Sequence, residues 1–174
     1  MLIFLIGYMG CGKSTIGRKL HQRLGWKVVD TDKIIEQNEG CTIAEIFDTK
    51  GEEHFRELER GVVDMLDHQS EDCIVSTGGG LPIWGDNMSL LNEVGVTVYL
   101  KRTAENIASR LSANGRYKRP KLRGLNDEEL VAFMSENIAL REPIYNHAKL
   151  IIDAVPLDDD EILNTIIKYI KTQS

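Results

Sequence analysis

Leu2-Ile3-Phe4-Leu5-Ile6 is an unbroken apolar run that stops at Gly7, whereas from Ser14 to Leu24 the apolar positions Ile16, Leu20 and Leu24 recur at four-residue spacing. A continuous run reads as a strand covered on both faces and the longer period as an amphipathic helix, so the chain opens as strand, loop and helix. Four more short apolar runs follow, Val28-Val29, Cys73-Ile74-Val75, Val96 to Leu100 and Leu150-Ile151-Ile152, each separated from the next by helical sequence. Five strands alternating with helices predict an α/β fold on a parallel sheet. Thr42 with Glu45, Asn126 with Glu129 and Asp158 with Glu161 have capping-box spacing and mark three helix starts. Between Gly51 and His68, Phe55, Leu58, Val62 and Leu66 give a helix one apolar face. The rhythm breaks from Asn114 to Gly124, a polar stretch with Pro120 and five basic residues between Arg116 and Arg123, which reads as a mobile loop. No internal repeat or low-complexity linker sets that loop apart, so it belongs to the same domain.

A length of 174 residues with 42% apolar side chains suits one globular domain, residues 1–174, with a sizeable core. Lys and Arg total 21 against 27 Asp and Glu; the net charge of −6 disfavours a general nucleic-acid binder and leaves anion binding to local basic clusters. Cys11, Cys41 and Cys73 are odd in number, far apart and without a CxxC pair, so neither a disulfide framework nor a zinc site is suggested and a reducing compartment fits best. The first apolar run is too short to span a bilayer and has no basic segment before it. The expectation is a cytoplasmic monomer with neither membrane nor nucleic-acid partners.

Gly7-Tyr8-Met9-Gly10-Cys11-Gly12-Lys13-Ser14 fits G-x-x-x-x-G-K-[ST] directly after a strand and directly before a helix, the context this motif requires. Its glycines let backbone N–H groups converge on phosphates, the helix N-terminus adds partial positive charge, Lys13 reaches the terminal phosphates and Ser14 ligates Mg²⁺. Asp30-Thr31-Asp32 ends the second strand at the carboxyl edge of the sheet, where open α/β folds bind ligands. One carboxylate can hold Mg²⁺ through water, while the other can accept a hydrogen bond from a substrate hydroxyl. With no acid ending the third strand, Asp30 is the metal candidate, and a plain N-cap is the alternative for Asp32. Thr77-Gly78-Gly79-Gly80-Leu81-Pro82 exposes backbone amides without Cβ obstruction, or is only a flexible turn.

Arg56 and Glu59, at i, i+3, read on spacing alone as an ordinary surface ion pair, and Arg141 before Glu142-Pro143 as an exposed C-capping residue. Arg119-Pro120 has a stronger case, because an arginine on a lid that closes over ATP stabilises charge on the migrating phosphoryl group. Four histidines show no ligand-like spacing, Cys11 reads as an oxidisable spacer in the phosphate loop, and core packing outranks ligand stacking for Trp26 and Trp84.

Taken in order and spacing, the phosphate loop, Asp30-Thr31-Asp32, Ile43-Ala44-Glu45-Ile46-Phe47, Gly51-Glu52, Phe55-Arg56-Glu57-Leu58-Glu59, Thr77-Gly78-Gly79-Gly80, Arg119-Pro120 and Arg141-Glu142-Pro143-Ile144-Tyr145 resemble the shikimate kinase family over essentially the whole chain. That resemblance implies the nucleoside-monophosphate-kinase-like P-loop fold, a three-layer sandwich with a five-stranded parallel sheet ordered 2-3-1-4-5, a helical acceptor-binding segment at about 31–60 and a lid at about 112–125. It implies ATP-dependent phosphorylation of the 3-hydroxyl of shikimate, with Mg²⁺. By family position, Gly10, Cys11, Gly12, Lys13, Ser14 and Thr15 hold ATP, Arg110 stacks on the adenine, and the turn from Asp153 to Pro156 covers the other side of the base. Arg56 and Arg141 take the shikimate carboxylate, Asp32 its hydroxyls, Gly78, Gly79 and Gly80 its ring face, and Glu59 orients Arg56; Lys13, Asp32 and Arg119 carry catalysis. Two departures stand out: Lys121-Leu122 replaces two leucines, making the lid more basic and less apolar, and His147 stands where a glutamate is frequent. A gluconate kinase of this fold would share the phosphate loop but has no need of Arg56, Arg141 and the triple glycine together. A non-catalytic nucleotide-binding module predicts decay of Lys13, Asp32 or Arg119, and all three are present.

Overall fold

Each apolar run forms a strand: β1 (Leu2–Ile6), β2 (Lys27–Asp30), β3 (Cys73–Ser76), β4 (Val96–Lys101) and β5 (Leu150–Asp153). The structure, a computed structural model, describes residues 1–68, 70–111 and 122–173. The strands are all parallel, in the order β2-β3-β1-β4-β5. In the register around β1, Phe4 lies opposite Val75 of β3 and Thr97 of β4.

Parallel neighbours need crossovers, and these are made by α1 (Lys13–Leu24), α2 (Thr31–Glu39), α3 (Ile43–Asp67), α4 (Asn87–Val94), α5 (Ala104–Arg110), α6 (Asp127–Tyr145) and, after β5, α7 (Asp159–Lys171). Alternation along β1 feeds two cores. Ile3 and Leu5 pack with Ile16 and Leu20 of α1, Ile107 of α5, Met134 of α6 and Ile166 of α7, whereas Leu2, Phe4 and Ile6 pack with Ile35 of α2, Val62 and Leu66 of α3 and Leu91 of α4. Helices on both faces explain why β1 is buried at every position and why its sequence does not alternate. Each such side chain contributes about 1.5–3 kcal/mol when fully buried. The result is the three-layer sandwich.

All three capping boxes form, at Thr42, Asn126 and Asp158, with the side chain and backbone bonds reciprocal in each. The helix between Gly51 and His68 is the second half of α3, and the two halves meet at Gly51 (φ 84°, ψ 173°), a conformation that only glycine adopts without strain. Helix α6 runs through Pro143 to Tyr145 instead of stopping at Arg141. Pro143 lacks the N–H for its helical bond, but Tyr145, wholly buried, holds the last turn by donating its hydroxyl to the Gly79 carbonyl at 2.6 Å. Among the described residues, no helix is long and apolar enough to cross a membrane.

Candidate active site

The loop from Gly7 to Gly12 joins β1 to α1 at the carboxyl edge of the sheet. Gly10 (φ 80°) and Gly12 (φ 106°) take backbone conformations that disfavour side chains, and Gly12 caps α1 without a side-chain acceptor. The first-turn N–H groups of α1 are thus left for a ligand, and Gly10, Gly12, Lys13, Ser14 and Thr15 line a cleft of about 580 Å³. Lys13 is mostly buried and lies along this loop, its Nζ donating to the Gly7 carbonyl at 2.7 Å and the Tyr8 carbonyl at 3.1 Å. Cys11 differs from its neighbours: its side chain is 1% exposed and lies outside the cleft lining, so it offers the loop its backbone and its thiol is sheltered.

Sequence reasoning missed Arg102. It lies just past β4, 5% exposed, and its Nε donates to the Cys11 carbonyl at 2.9 Å while Nη1 donates to Asn106 Oδ1 at 2.9 Å. A buried guanidinium thus braces the phosphate loop from behind. Nothing in a lone arginine after a strand signals this, because the partner is a backbone carbonyl 91 residues away. A charge-assisted bond of this kind contributes about 1.5–3 kcal/mol, so Arg102→Gln weakens binding of a triphosphate at the loop about tenfold, as read by equilibrium titration.

Opposite the loop, Asp30 is the N-cap of α2, its Oδ1 accepting from the Asp32 and Lys33 amides at 3.1 and 3.4 Å. The capping role therefore falls on Asp30, leaving Asp32 free, and both line the cleft with Ser14, Ser76 and Gly78. The Arg56–Glu59 pair is no surface pair. Arg56 Nη1 meets Glu59 Oε2 at 2.5 Å, with side-chain exposures of 12% and 0%, because this face of α3 turns toward the triple glycine. None of Gly78, Gly79 and Gly80 has a positive φ, so close approach and not backbone conformation requires them. A Cβ on Gly78 would lie 2.7 Å from Glu59 Oε1 and 2.9 Å from Asp32 Oδ1, and one on Gly80 would lie 2.5 Å from the Arg56 guanidinium.

Those same two carboxylate oxygens, Asp32 Oδ1 and Glu59 Oε1, are buried without a hydrogen-bond partner. Burial pushes the Asp32 carboxyl up to about 6, with the Asp30 charge adding to the shift, and pushes Glu59 up to about 7 despite the neighbouring Arg56. Both values exceed those of the free side chains, 3.8 and 4.5, so the folded state binds these protons more tightly than the unfolded one. Their contribution to stability is present below about pH 4 and is lost as pH rises through about 6 to 7. Between about pH 5 and pH 8 the wild type accordingly loses stability relative to Asp32→Asn in urea denaturation; a difference independent of pH would overturn these shifts.

Arg141 is half-buried rather than exposed, and its guanidinium lies over the Tyr8 ring at 5.3 Å. Arg141, Arg56, Glu52, Gly80, Ile83 and Trp84 line a second pocket of about 150 Å³. Trp84 is 39% exposed there, against the core role expected for it, whereas Trp26 packs against the core. Gly79 lines the cleft and Gly80 the pocket, so the two cavities adjoin along the triple glycine. Arg110 lines the cleft above Gly12, but exposed Pro156 does not appear in its lining. Arg119, Pro120 and Lys121 lie outside the described residues; Leu122, at the end of that segment, is buried in the core beside α6.

Residues 9–171 match the family model described as shikimate kinase. A shikimate kinase of Parabacteroides distasonis is 40% identical over 172 residues, covering 97% of this chain and 98% of the relative. Among solved structures, shikimate kinase from Bacteroides thetaiotaomicron superposes with a TM-score of 0.88 at 33% identity, over 98% of both chains. That of Acinetobacter baumannii in complex with shikimate gives 0.83 at 30% identity, over 99% of this chain and 94% of that one. Agreement in sequence and backbone along nearly the whole length of each chain places this protein in the shikimate kinase family.

Proposed function

We propose that this protein transfers the γ-phosphoryl group of ATP to the 3-hydroxyl of shikimate, giving shikimate 3-phosphate and ADP. The observation that carries the reading is the pair of adjoining cavities, one on a phosphate loop and the other facing two guanidinium groups, meeting at Gly79 and Gly80. A ring acid bearing hydroxyls suits that shape: Arg56 and Arg141 take its carboxylate, the triple glycine lies under its ring, and Asp32 accepts a hydrogen bond from the reacting hydroxyl.

Gly10 to Thr15 bind the phosphates, Arg110 covers the base, the turn to Pro156 closes the base site, and Lys13 neutralises charge on the migrating group. Asp32 first orients the hydroxyl and accepts its proton late, since a loose transition state needs little base assistance. Mg²⁺ fits the donor set: Ser14 Oγ lies 3.3 Å from Ser76 Oγ, and Asp30 lines the same wall, giving the few hard oxygens that an ion shared with phosphates and water requires. Bound there, it would offset phosphate charge. Residues 31–60 form the acceptor-binding segment and 112–125 the lid that brings Arg119 over the phosphates, all within one domain of 1–174. The acidic balance disfavours nucleic-acid partners and the three free cysteines suit a reducing compartment, so we take the protein to work as a monomer in the cytoplasm, away from membranes.

A coupled assay of ADP release, run with shikimate, with gluconate and with no acceptor, tests the reading. Release that depends on shikimate alone is expected, and release independent of shikimate overturns it.

A further inference from the structure

Arg56 is held on both edges, and the two holds differ in kind. Its Nη1 meets Glu59, which is fully buried, whereas Nη2 donates to Glu52 Oε1 at 3.1 Å, on a side chain that is 67% exposed. Glu52 directly follows the break in α3 at Gly51 and reaches Arg56 across one turn, so its carboxylate stands at the mouth of the small pocket it lines with Arg56 and Arg141. Nη2, held only by the exposed Glu52, is the more readily released of the two nitrogens for an incoming carboxylate.

We infer that Glu52 is an internal counter-anion that caps Arg56 until the acceptor's carboxylate displaces it. This deepens the acceptor assignment above and rests on it. Without the cap, Arg56 and Arg141 would present two positive charges to any small anion. With it, a ligand must bring enough contact to Trp84, Ile83 and the triple glycine to replace an existing ion pair. Exposed pairs are weak and so are replaceable, so the cap sets one threshold for every carboxylate and does not block the pocket.

Glu52→Gln keeps the size of the side chain and removes its charge. The expected result is a shikimate KM about threefold to fivefold lower, a change falling on KM rather than kcat, matched by tighter shikimate binding in calorimetry without ATP. Benzoate, a ring carboxylate without hydroxyls, becomes a stronger competitor by the same factor, since Arg56 is freed and the ring contacts are untouched. Glu53→Gln is the control. Glu53 is exposed in the same helical turn but outside the pocket, so its replacement removes the same helix-start charge and leaves KM for shikimate where it was. An unchanged or raised shikimate KM in Glu52→Gln, or an equal fall in Glu53→Gln, overturns the inference while the acceptor assignment stands. A wild-type protein that releases no ADP in response to shikimate overturns both.

Discussion

Lys13→Met lowers kcat by about 10²–10³ and changes Tm little. The Lys13 ammonium donates to the carbonyls of Gly7 and Tyr8, at 2.7 and 3.1 Å. These carbonyls compete poorly with a triphosphate for a full positive charge, so the ammonium moves to the phosphates when nucleotide binds. Methionine retains the apolar stem and keeps the packing, which is why stability is largely preserved. What disappears is a charge set against the oxygens of the group in transit, felt more strongly in the transition state than in the bound nucleotide, so kcat falls more than KM for ATP rises. Single-turnover kinetics with circular dichroism melting separates the two effects. A variant retaining more than about a tenth of the wild-type kcat would remove Lys13 from the chemistry.

How far the sequence carries depends on the range of the interactions involved. The strands and the three capping boxes are set by neighbours within a few residues, and these were legible. The phosphate loop was legible for the same reason, since strand, glycines, lysine and helix are contiguous. The arginines were legible only through the family resemblance, not from their own spacing. Arg56 and Glu59 look like any surface pair at i, i+3, and only the approach of Gly78 to Gly80, over 20 residues further on, buries that face of α3. Arg141 looks like a helix end because Pro143 follows, yet a long-range bond from the Tyr145 hydroxyl to Gly79 carries α6 past the proline. Both long-range contacts run to the triple glycine, which lets charged side chains close onto the backbone. Glu59, Asp32 and Arg56 occupy room that the absent Cβ atoms leave. Which of Asp30 and Asp32 caps α2 depends on the extended backbone at Asp30, a feature that the two carboxylates do not reveal by themselves.

Arg56→Ala carries the other large effect and separates binding from stability. Removing the guanidinium costs the acceptor a charge-assisted fork, and kcat/KM for shikimate falls about 10²-fold or more. It also strands Glu59, which is fully buried and already has one oxygen without a partner. An ionised carboxylate left in that position would cost about 3 kcal/mol at pH 8. At pH 6 the loss is smaller: with the opposing charge gone, the Glu59 carboxyl rises beyond its already elevated value of about 7 and is buried neutral. Adding Glu59→Gln removes the stranded charge altogether, so the double variant regains most of the Tm lost by Arg56→Ala and loses the share of the pH dependence that Glu59 carries, keeping that of Asp32. It does not regain shikimate binding, because glutamine restores no positive charge to the pocket. Melting at the two pH values beside acceptor kinetics at each thus assigns Glu59 to holding Arg56 and Arg56 to holding the acceptor. A double variant with near-wild-type KM for shikimate would show instead that Arg141 alone takes the carboxylate.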